Sequence, residues 1–574
     1  MHKNKLLAAV SALSIVGCWS TGAGAQTAAV QPADQGEAET PDYGVEDIVV
    51  TARKQSEDIQ DVPLSVSAVS GTTLERRGLQ NVKDLAQSVP SLSLIGSNTA
   101  RASALQIRGI GSFGLNPGIE PSVGVYFDGA YQKSAAAVLS SNLLDLEAIE
   151  VLRGPQGTLF GRNTPAGIVK IDTNRPTEEF SAQGSLSYAS FNSIGFDAGV
   201  GGAIVPGALS FRVSGLWQHR DDWVDNGNTG EDDVLGGYDE FAGRVQLLLD
   251  TGGPLTLLAS AQYRDLKGTS TLFRANILGP GDNELNGNYD RDTVFYDAGG
   301  GNPSEYRAFV GSFNISYEAD WAMLTAITAY AHSNGLSRGD VDGGFGAAFL
   351  PVMGPGFIPF PADTQDSLSL DQWTQEVRLA SNDTTPLGWQ IGAFFFNSDF
   401  DVTTVGFDFP PPVTVNHSNQ SCAVFGQASF QLSPVFRLTG GLRYTDDEKQ
   451  FRVVSGAPAQ PRSVADDRLT WDFSAFADVS GDVSLFARVA SGFRAPTIQG
   501  RDVAFFAPPS VARSERIMSY EAGIKTELAD RRVRLNAAVF HYRVEDPQFT
   551  AVGGAGNLVQ LVHADQGRAR GFEL

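Results

Sequence analysis

LSFRVSGLWQ, at residues 209–218, places Leu209, Phe211, Val213, Gly215 and Trp217 on one face of an extended chain and Ser210, Arg212, Ser214 and Gln218 on the other. The same period returns twice more. Leu255, Leu257, Ala259, Ala261 and Tyr263 oppose Thr256, Ser260, Gln262 and Arg264, and Val483, Leu485, Ala487 and Val489 oppose Ser484 and Arg488. Such strands fit a soluble sheet with one covered face or a barrel with lipid outside, so alternation alone leaves both open. The connections separate them. Tight ones at Pro206-Gly207, 251–254, 382–386, Ser433-Pro434, Gly481-Asp482 and Ala529-Asp530 alternate with long polar or Gly/Pro-rich stretches near 220–236, 267–303, 334–365, 403–417 and 494–513. Short turns at one end of the strands and long loops at the other are the outer-membrane barrel arrangement.

Composition agrees with that reading. Gly is 63 of 574 residues, above its usual share of ~7%, but Pro is at its ordinary level and 42% of residues are hydrophobic, which excludes collagen-like, disulfide-rich and strongly disordered classes. A mean hydropathy of -0.12, with no apolar run of ~20 residues after the N-terminus, excludes a polytopic helical membrane protein. The formal net charge of -23, from 42 basic and 65 acidic residues, argues against a nucleic-acid partner or an anionic-lipid partner, since either needs a basic surface. Two cysteines, Cys18 and Cys422, say little about redox compartment.

The N-terminus says more. His2, Lys3 and Lys5 precede the apolar run Leu6 to Val16, and Ala23-Gly24-Ala25 closes a small-residue stretch, so residues 1–25 read as a secretory signal peptide. Lipidation at Cys18 is the competing reading, and both take the chain out of the cytoplasm. Residues 26–46 are polar and acidic, as in a mobile leader. From Asp47 to about Arg175, short β-prone runs and a helical stretch around Asn81 to Gln87, closed by Pro90, predict one compact α+β domain.

Several segments carry a resemblance. VEDIVVTARKQSEDIQDVPLSVSAVSG at 45–71, LQIRGIG at 105–111, PSVGVYFDGAY at 121–131, DLEAIEVLRGPQGTLFGRNTPAGIVKIDTNRP at 145–176, SGFRAPT at 491–497, SYEAGIK at 519–525, LNAAVFHYRVED at 535–546 and GRARGFEL at 567–574 together resemble TonB-dependent outer-membrane receptors. The resemblance spans residues 47–574 and implies a mainly β fold: a transmembrane antiparallel β-barrel of twenty-two strands with an N-terminal α+β plug, here 53–175, lodged inside. It implies import of a large scarce nutrient, an iron-siderophore complex first among them, powered through TonB from the inner membrane. A non-iron ligand, such as an aromatic compound, vitamin B12 or an oligosaccharide, is the alternative, and a passive or structural barrel is the rival from another class. The roughly 400 residues after the plug allow about sixteen strands at ~25 residues per strand with its connection, so the chain is expected to be part of a longer protein.

Each motif has a physical reading beside the implied one. Asp47, Ile48, Val49, Val50, Thr51 and Ala52 sit behind a flexible leader and could add as a strand to a partner's sheet edge. The resemblance makes them the box that TonB pulls; the plain alternative is the plug's first strand. Gly109, Gly111 and Gly114 match a dinucleotide-binding pattern, but Leu115-Asn116-Pro117-Gly118 cannot open the required helix, so they are read as part of a plug loop. In related plugs this loop, here with Phe113 and Asn116, and the stretch containing Tyr126, Asp128, Tyr131 and Gln132 touch ligand from outside.

Arg108 and Arg153 fall at the expected plug-barrel interface, where a buried guanidinium needs a carboxylate. Glu521 matches one barrel position implied by the resemblance and Glu376 is a second candidate; arginines facing lumen water are the alternative. Phe357 and Phe360, Phe409, and Phe505 with Phe506 lie in three external loops and suit a vestibule for a bulky, partly hydrophobic ligand, unless they merely pack the loops together. Six scattered histidines show no ligand spacing, and an acidic stretch from Asp282 lacks the closing Glu of a calcium loop, so neither metal nor cofactor is expected. No nucleophile with a positioned base is found, so no enzymatic activity is expected.

Overall fold

The computed structural model describes residues 48–95, 104–111, 118–133, 143–274, 277–279, 281, 284–296, 301–340, 343, 363–382, 385–408, 410–553 and 558–574. Its largest element is a sheet of sixteen strands, from Ser181–Ala189 to Gln566–Glu573, in which each strand pairs antiparallel with the next along the sheet. A meander of this kind needs only short hairpin turns at one end. Two residues join the strand Val413–Ser433 to Phe436–Ser455, and two more join Arg462–Ser480 to Val483–Arg494. The tight turns all fall at one end of the sheet, the turn end. The other, loop end carries the long connections, apart from the shorter ones at 190–192, 406–412 and 456–461.

The strands run further into the expected loops than their sequence suggests. Residues 334–340, 363–365, 403–405 and 413–417 are strand, and Val413–Ser433 is 21 residues long. A tilted strand crosses a membrane in about 9–11 residues, so these strands rise well beyond it at the loop end. The polar, Gly- and Pro-rich composition hid this, because above the membrane the outward face is polar, although inward residues such as Val413 and Val415 are buried with Phe451, Ile498 and Val503.

Which face is which decides the environment. Val213 and Trp217 are 45% and 42% exposed, while Arg212 and Ser214, on the opposite face, are 5% and 2% exposed. The apolar face points out and the polar face points in, the reverse of a soluble sheet on a core and the pattern of a lipid-facing wall. Trp217, Phe241, Tyr263, Phe309 and Trp373 form an exposed aromatic band toward the loop end. Tyr317, Trp321 and Phe430 form another near the turns, with Trp321 and Trp389 ring centroids 6.2 Å apart. Two aromatic girdles flanking an apolar band mark the two membrane interfaces.

Inside lies the N-terminal domain. Its five-stranded sheet runs in the order Val66–Ser70, Leu146–Arg153, Gly167–Thr173, Val123–Phe127, Ala130–Gln132, with one parallel pair between the third and fourth. Helix Val82–Ser88 lies where expected; Asn81 caps it and Asp84 completes a capping box. A second helix, Gly71–Arg77, was not legible in the sequence. It is capped by Ser70 and ended by Gly78 in the left-handed region. Leu74, Leu85, Ile107, Val125, Ile149 and Val169 are among the residues that form the domain's own core.

Candidate functional site: the plug and the wall around it

Asp47, Phe113, Asn116, Phe357, Phe360 and Phe409 lie outside the described residues, as do the signal and leader segments. The rest of the expected site can be placed.

Val49–Val50 forms a two-residue strand antiparallel to Glu57–Asp58. Val49 is 59% exposed, but Val50 and Ala52 are buried in a cluster with Leu152, Phe160 and Ile168. Thr51 donates through its backbone N–H and its hydroxyl to Glu150 Oε1, each at 2.9 Å. Of the expected exposed box, only the Val49 side is therefore presented, because alternate side chains of an extended segment face opposite ways. Just behind it, Lys54 pairs with Glu376 of the wall at 2.5 Å and lies over the rings of Phe160 and Phe425. Burial lowers the Lys54 pKa to about 8, against the pull of Glu376.

The segment 154–166 is buried throughout and presses on the wall. A Cβ on Gly157 would stand 2.7 Å from the Ser491 carbonyl oxygen, so only glycine allows this approach. Gly157→Ala should lower stability by about 1–3 kcal/mol, the usual cost of overpacking, as read by thermal unfolding. Thr470 of the wall donates to the Gly157 carbonyl at 2.9 Å, and Arg488 donates to that of Pro155 at 2.8 Å.

Arg108 stands in a tight turn, with φ of 55° followed by 73° at Gly109. That turn aims its guanidinium at Glu521, 2.8 Å away, and at Glu573, 2.7 Å away, with the Phe540 ring 4.1 Å from its central carbon. Burial opposes the Arg108 charge, but Glu573 and Glu521 more than offset this, and its pKa moves up. Glu521 also accepts from the backbone N–H and hydroxyl of Ser65, at 3.1 and 2.6 Å. Arg153 lies 3.7 Å from Glu573. Glu376 meets neither arginine: it binds Lys54 and, at 3.1 Å, Arg378, because its strand lies against a different side of the plug.

The expected ligand surface at Tyr126, Asp128, Tyr131 and Gln132 needs correction. Tyr126 is buried, with its hydroxyl donating to the Phe160 carbonyl at 2.7 Å. Asp128 lies in the hairpin turn at the turn end, where Thr173 donates to it at 2.9 and 3.0 Å. Tyr131 and Gln132 are buried, and the Tyr131 ring lies 5.6 Å from that of Phe396 on the wall. These residues form an edge hairpin running against the barrel, so their polar atoms are spent on structure.

Phe505 and Phe506 divide. Phe505 packs edge-on to Phe407 at 5.0 Å, whereas Phe506, with φ of 62°, is 85% exposed.

A buried charged group toward the loop end was not among the expected residues. Arg162 pairs with Asp447 at 2.5 Å; Lys449 lies 3.0 Å from Asp447 and 3.5 Å from Glu120. Burial raises the Glu120 pKa, but Lys449 and Arg162 outweigh it and the net shift is downward. At the opposite end Asp145 accepts two hydrogen bonds from Arg212, both 2.6 Å. The signal was available for Arg212 and Arg488: charged residues on the polar face of an alternating strand point at whatever fills the lumen. No group of three or more potential metal ligands occurs among the described residues.

Comparison with known proteins gives the same architecture. A model for the β-barrel of TonB dependent receptor-like proteins matches residues 217–574, and one for the TonB-dependent receptor plug domain matches 58–168. The pesticin receptor of Yersinia pestis is 27% identical over 564 residues, covering 94% of this chain and 76% of that protein. The crystal structure of the ferric yersiniabactin uptake receptor FyuA from Yersinia pestis superposes with a TM-score of 0.72 at 22% identity, over 89% of this chain and 75% of that one. That of the alcaligin outer membrane receptor FauA from Bordetella pertussis gives 0.65 at 16% identity, over 93% and 80%.

Proposed function

This chain belongs to the TonB-dependent receptor family, and on that premise we propose that it imports an iron-siderophore complex across the outer membrane, with residues 47–52 as the segment TonB engages. The observation that carries the reading is a polar, ion-paired plug filling a barrel whose outer face is apolar. Many of the plug-wall contacts are hydrogen bonds and ion pairs that water can replace, so the plug can shift without exposing its own apolar core. Ligand bound at the loop end and TonB at the turn end would then be coupled through one movable body. The names of similar receptors support iron chelates as the class.

The test is uptake of radioactive iron by a receptor-null strain expressing this chain, with ferric yersiniabactin, ferric alcaligin and ferrioxamine B offered separately. Accumulation is expected with at least one iron chelate, abolished when TonB is absent. Accumulation independent of TonB, or uptake of vitamin B12 alone, overturns the proposal. Among the described loop phenylalanines, Phe506 is the most exposed. Phe506→Ala should change stability by less than ~0.5 kcal/mol, as for other contact-free surface sites, while weakening binding of the transported chelate severalfold. Phe505→Ala should act mainly on loop packing.

A further inference from the structure

On one side of the wall the polar inner face gives way to an apolar one directly above the plug. Cross-strand register sets Gln372, Ser398, Asn419 and Lys449 in one inward row, and this row meets the plug. Gln372 accepts from the Lys133 backbone N–H at 2.8 Å, Ser398 accepts from the Lys133 ammonium at 3.0 Å, and Lys449 lies 3.5 Å from Glu120. One step nearer the loop end stand Leu370, Phe400, His417 and Phe451, and one step further Leu368, Val402, Val415 and Val453. Apolar wall at this height lies on the way from the outside to the plug, and burying it takes a cover.

The cover is the connection that follows strand Val483–Arg494. In it Thr497–Gln499 pairs with Ser510–Ala512, and the turn Arg501–Phe505 lies between them. Ile498 and Val503, 2% and 6% exposed, pack into one cluster with Phe400, Val402, Val415 and Phe451. Gly500 lets the turn sit this low, since a Cβ there would run into the Phe451 ring. Arg501 fastens the turn to Asp366 of the wall, with Nε 3.0 Å from Oδ1 and Nη2 2.9 Å from Oδ2. The root of the same loop is held by the plug. Asn163, buried and with φ of 61°, donates its backbone N–H to the Phe493 carbonyl at 3.0 Å and accepts the Ala495 N–H on its side-chain oxygen at 3.0 Å. Lys449, already beside Glu120 of the plug, donates to the Pro496 carbonyl at 2.8 Å.

We propose that residues 495–512 are an autoinhibitory stopper. In the resting protein Ile498 and Val503 fill the apolar space above the plug, and the Asn163 clasp makes stopper and plug release together. A loop seated in its own apolar cluster opens as a unit, and two elements that share a clasp bias each other's opening. The stopper rests on these contacts alone and is tested without ligand, so it stands or falls separately from the iron-chelate reading.

The test uses intact cells expressing the full chain with Cys422→Ser, and a bulky membrane-impermeant maleimide as the probe. Val415→Cys is the reporter beneath the stopper, and Phe506→Cys, at an exposed position, sets the rate of full access. Val415→Cys should label at least about tenfold more slowly than Phe506→Cys, as for a site reached only by local opening. Gly500→Val, which pushes the turn off Phe451, should speed labelling of Val415→Cys by about tenfold. Arg501→Gln, which releases Asp366, should speed it as well. Asn163→Gly keeps the left-handed backbone but deletes the bond to Ala495, and should speed it by about fivefold. Heat-modifiable migration on gels confirms that each variant is folded. Equal labelling of the two reporters, or an unchanged rate in the folded Gly500→Val and Arg501→Gln variants, overturns the stopper. An unchanged rate in folded Asn163→Gly overturns its tie to the plug, and the proposal with it.

Discussion

Val49→Pro should reduce energised uptake to the level of a strain lacking the receptor, while leaving ligand binding at the cell surface unchanged. Proline removes a backbone donor and is poorly tolerated in strand pairing, so it blocks addition of this segment to a partner's sheet edge. The side chain of Val49 is 59% exposed, so little packing is lost. A deletion of residues 47–52 is a poorer test. It also removes Val50 and Ala52 from the buried cluster and strips Thr51 from Glu150, so lost uptake could reflect a damaged plug. Uptake that survives Val49→Pro would remove residues 47–52 as the TonB segment.

Arg108→Met should be the most damaging single substitution at the plug-wall interface. It leaves Glu521 and Glu573 buried beside each other, with Arg153 and Lys525 as cations nearby. Breaking a buried pair by removing one partner costs roughly 3–5 kcal/mol. Denaturant unfolding should show this loss, and protease should cut the plug where the wild type resists. Adding Glu521→Gln to Arg108→Met should restore part of the stability by removing one uncompensated charge. The exposed pair of Arg307 and Asp265, 3.2 Å apart, is the control: Arg307→Met should cost no more than ~1 kcal/mol. Similar losses at both positions would refute a special role for Arg108.

Much of the architecture was legible because lipid outside and polar plug inside impose a strict alternation, as at Leu209 to Gln218. The compact N-terminal domain was legible too. What the sequence hid has physical causes. The strand ends at 334–340 and 413–417 rise above the membrane, where the outward face is polar and the inward side chains are buried by other loop-end residues rather than by lipid or plug. Tyr126 and Asp128 look like loop residues beside Gly129, but sheet pairing sends that hairpin against the wall at the turn end. Partner choice among buried charges was least visible. Glu376 and Glu573 are separated from Lys54 and Arg108 by hundreds of residues, and only the folded chain brings them together.

The N-terminal contacts have a mechanical consequence. Counted from the leader, Thr51 on Glu150 comes first, then Lys54 on Glu376, then Lys525 holding the carbonyls of Ile59 and Val62 at 2.5 Å each. A tension applied at residue 48 meets these ties one after another, as in peeling tape from its end. The force needed is then set by the strongest single tie, and the work by their sum. A plug anchored by many contacts can in this way be released from the turn end by a modest steady pull.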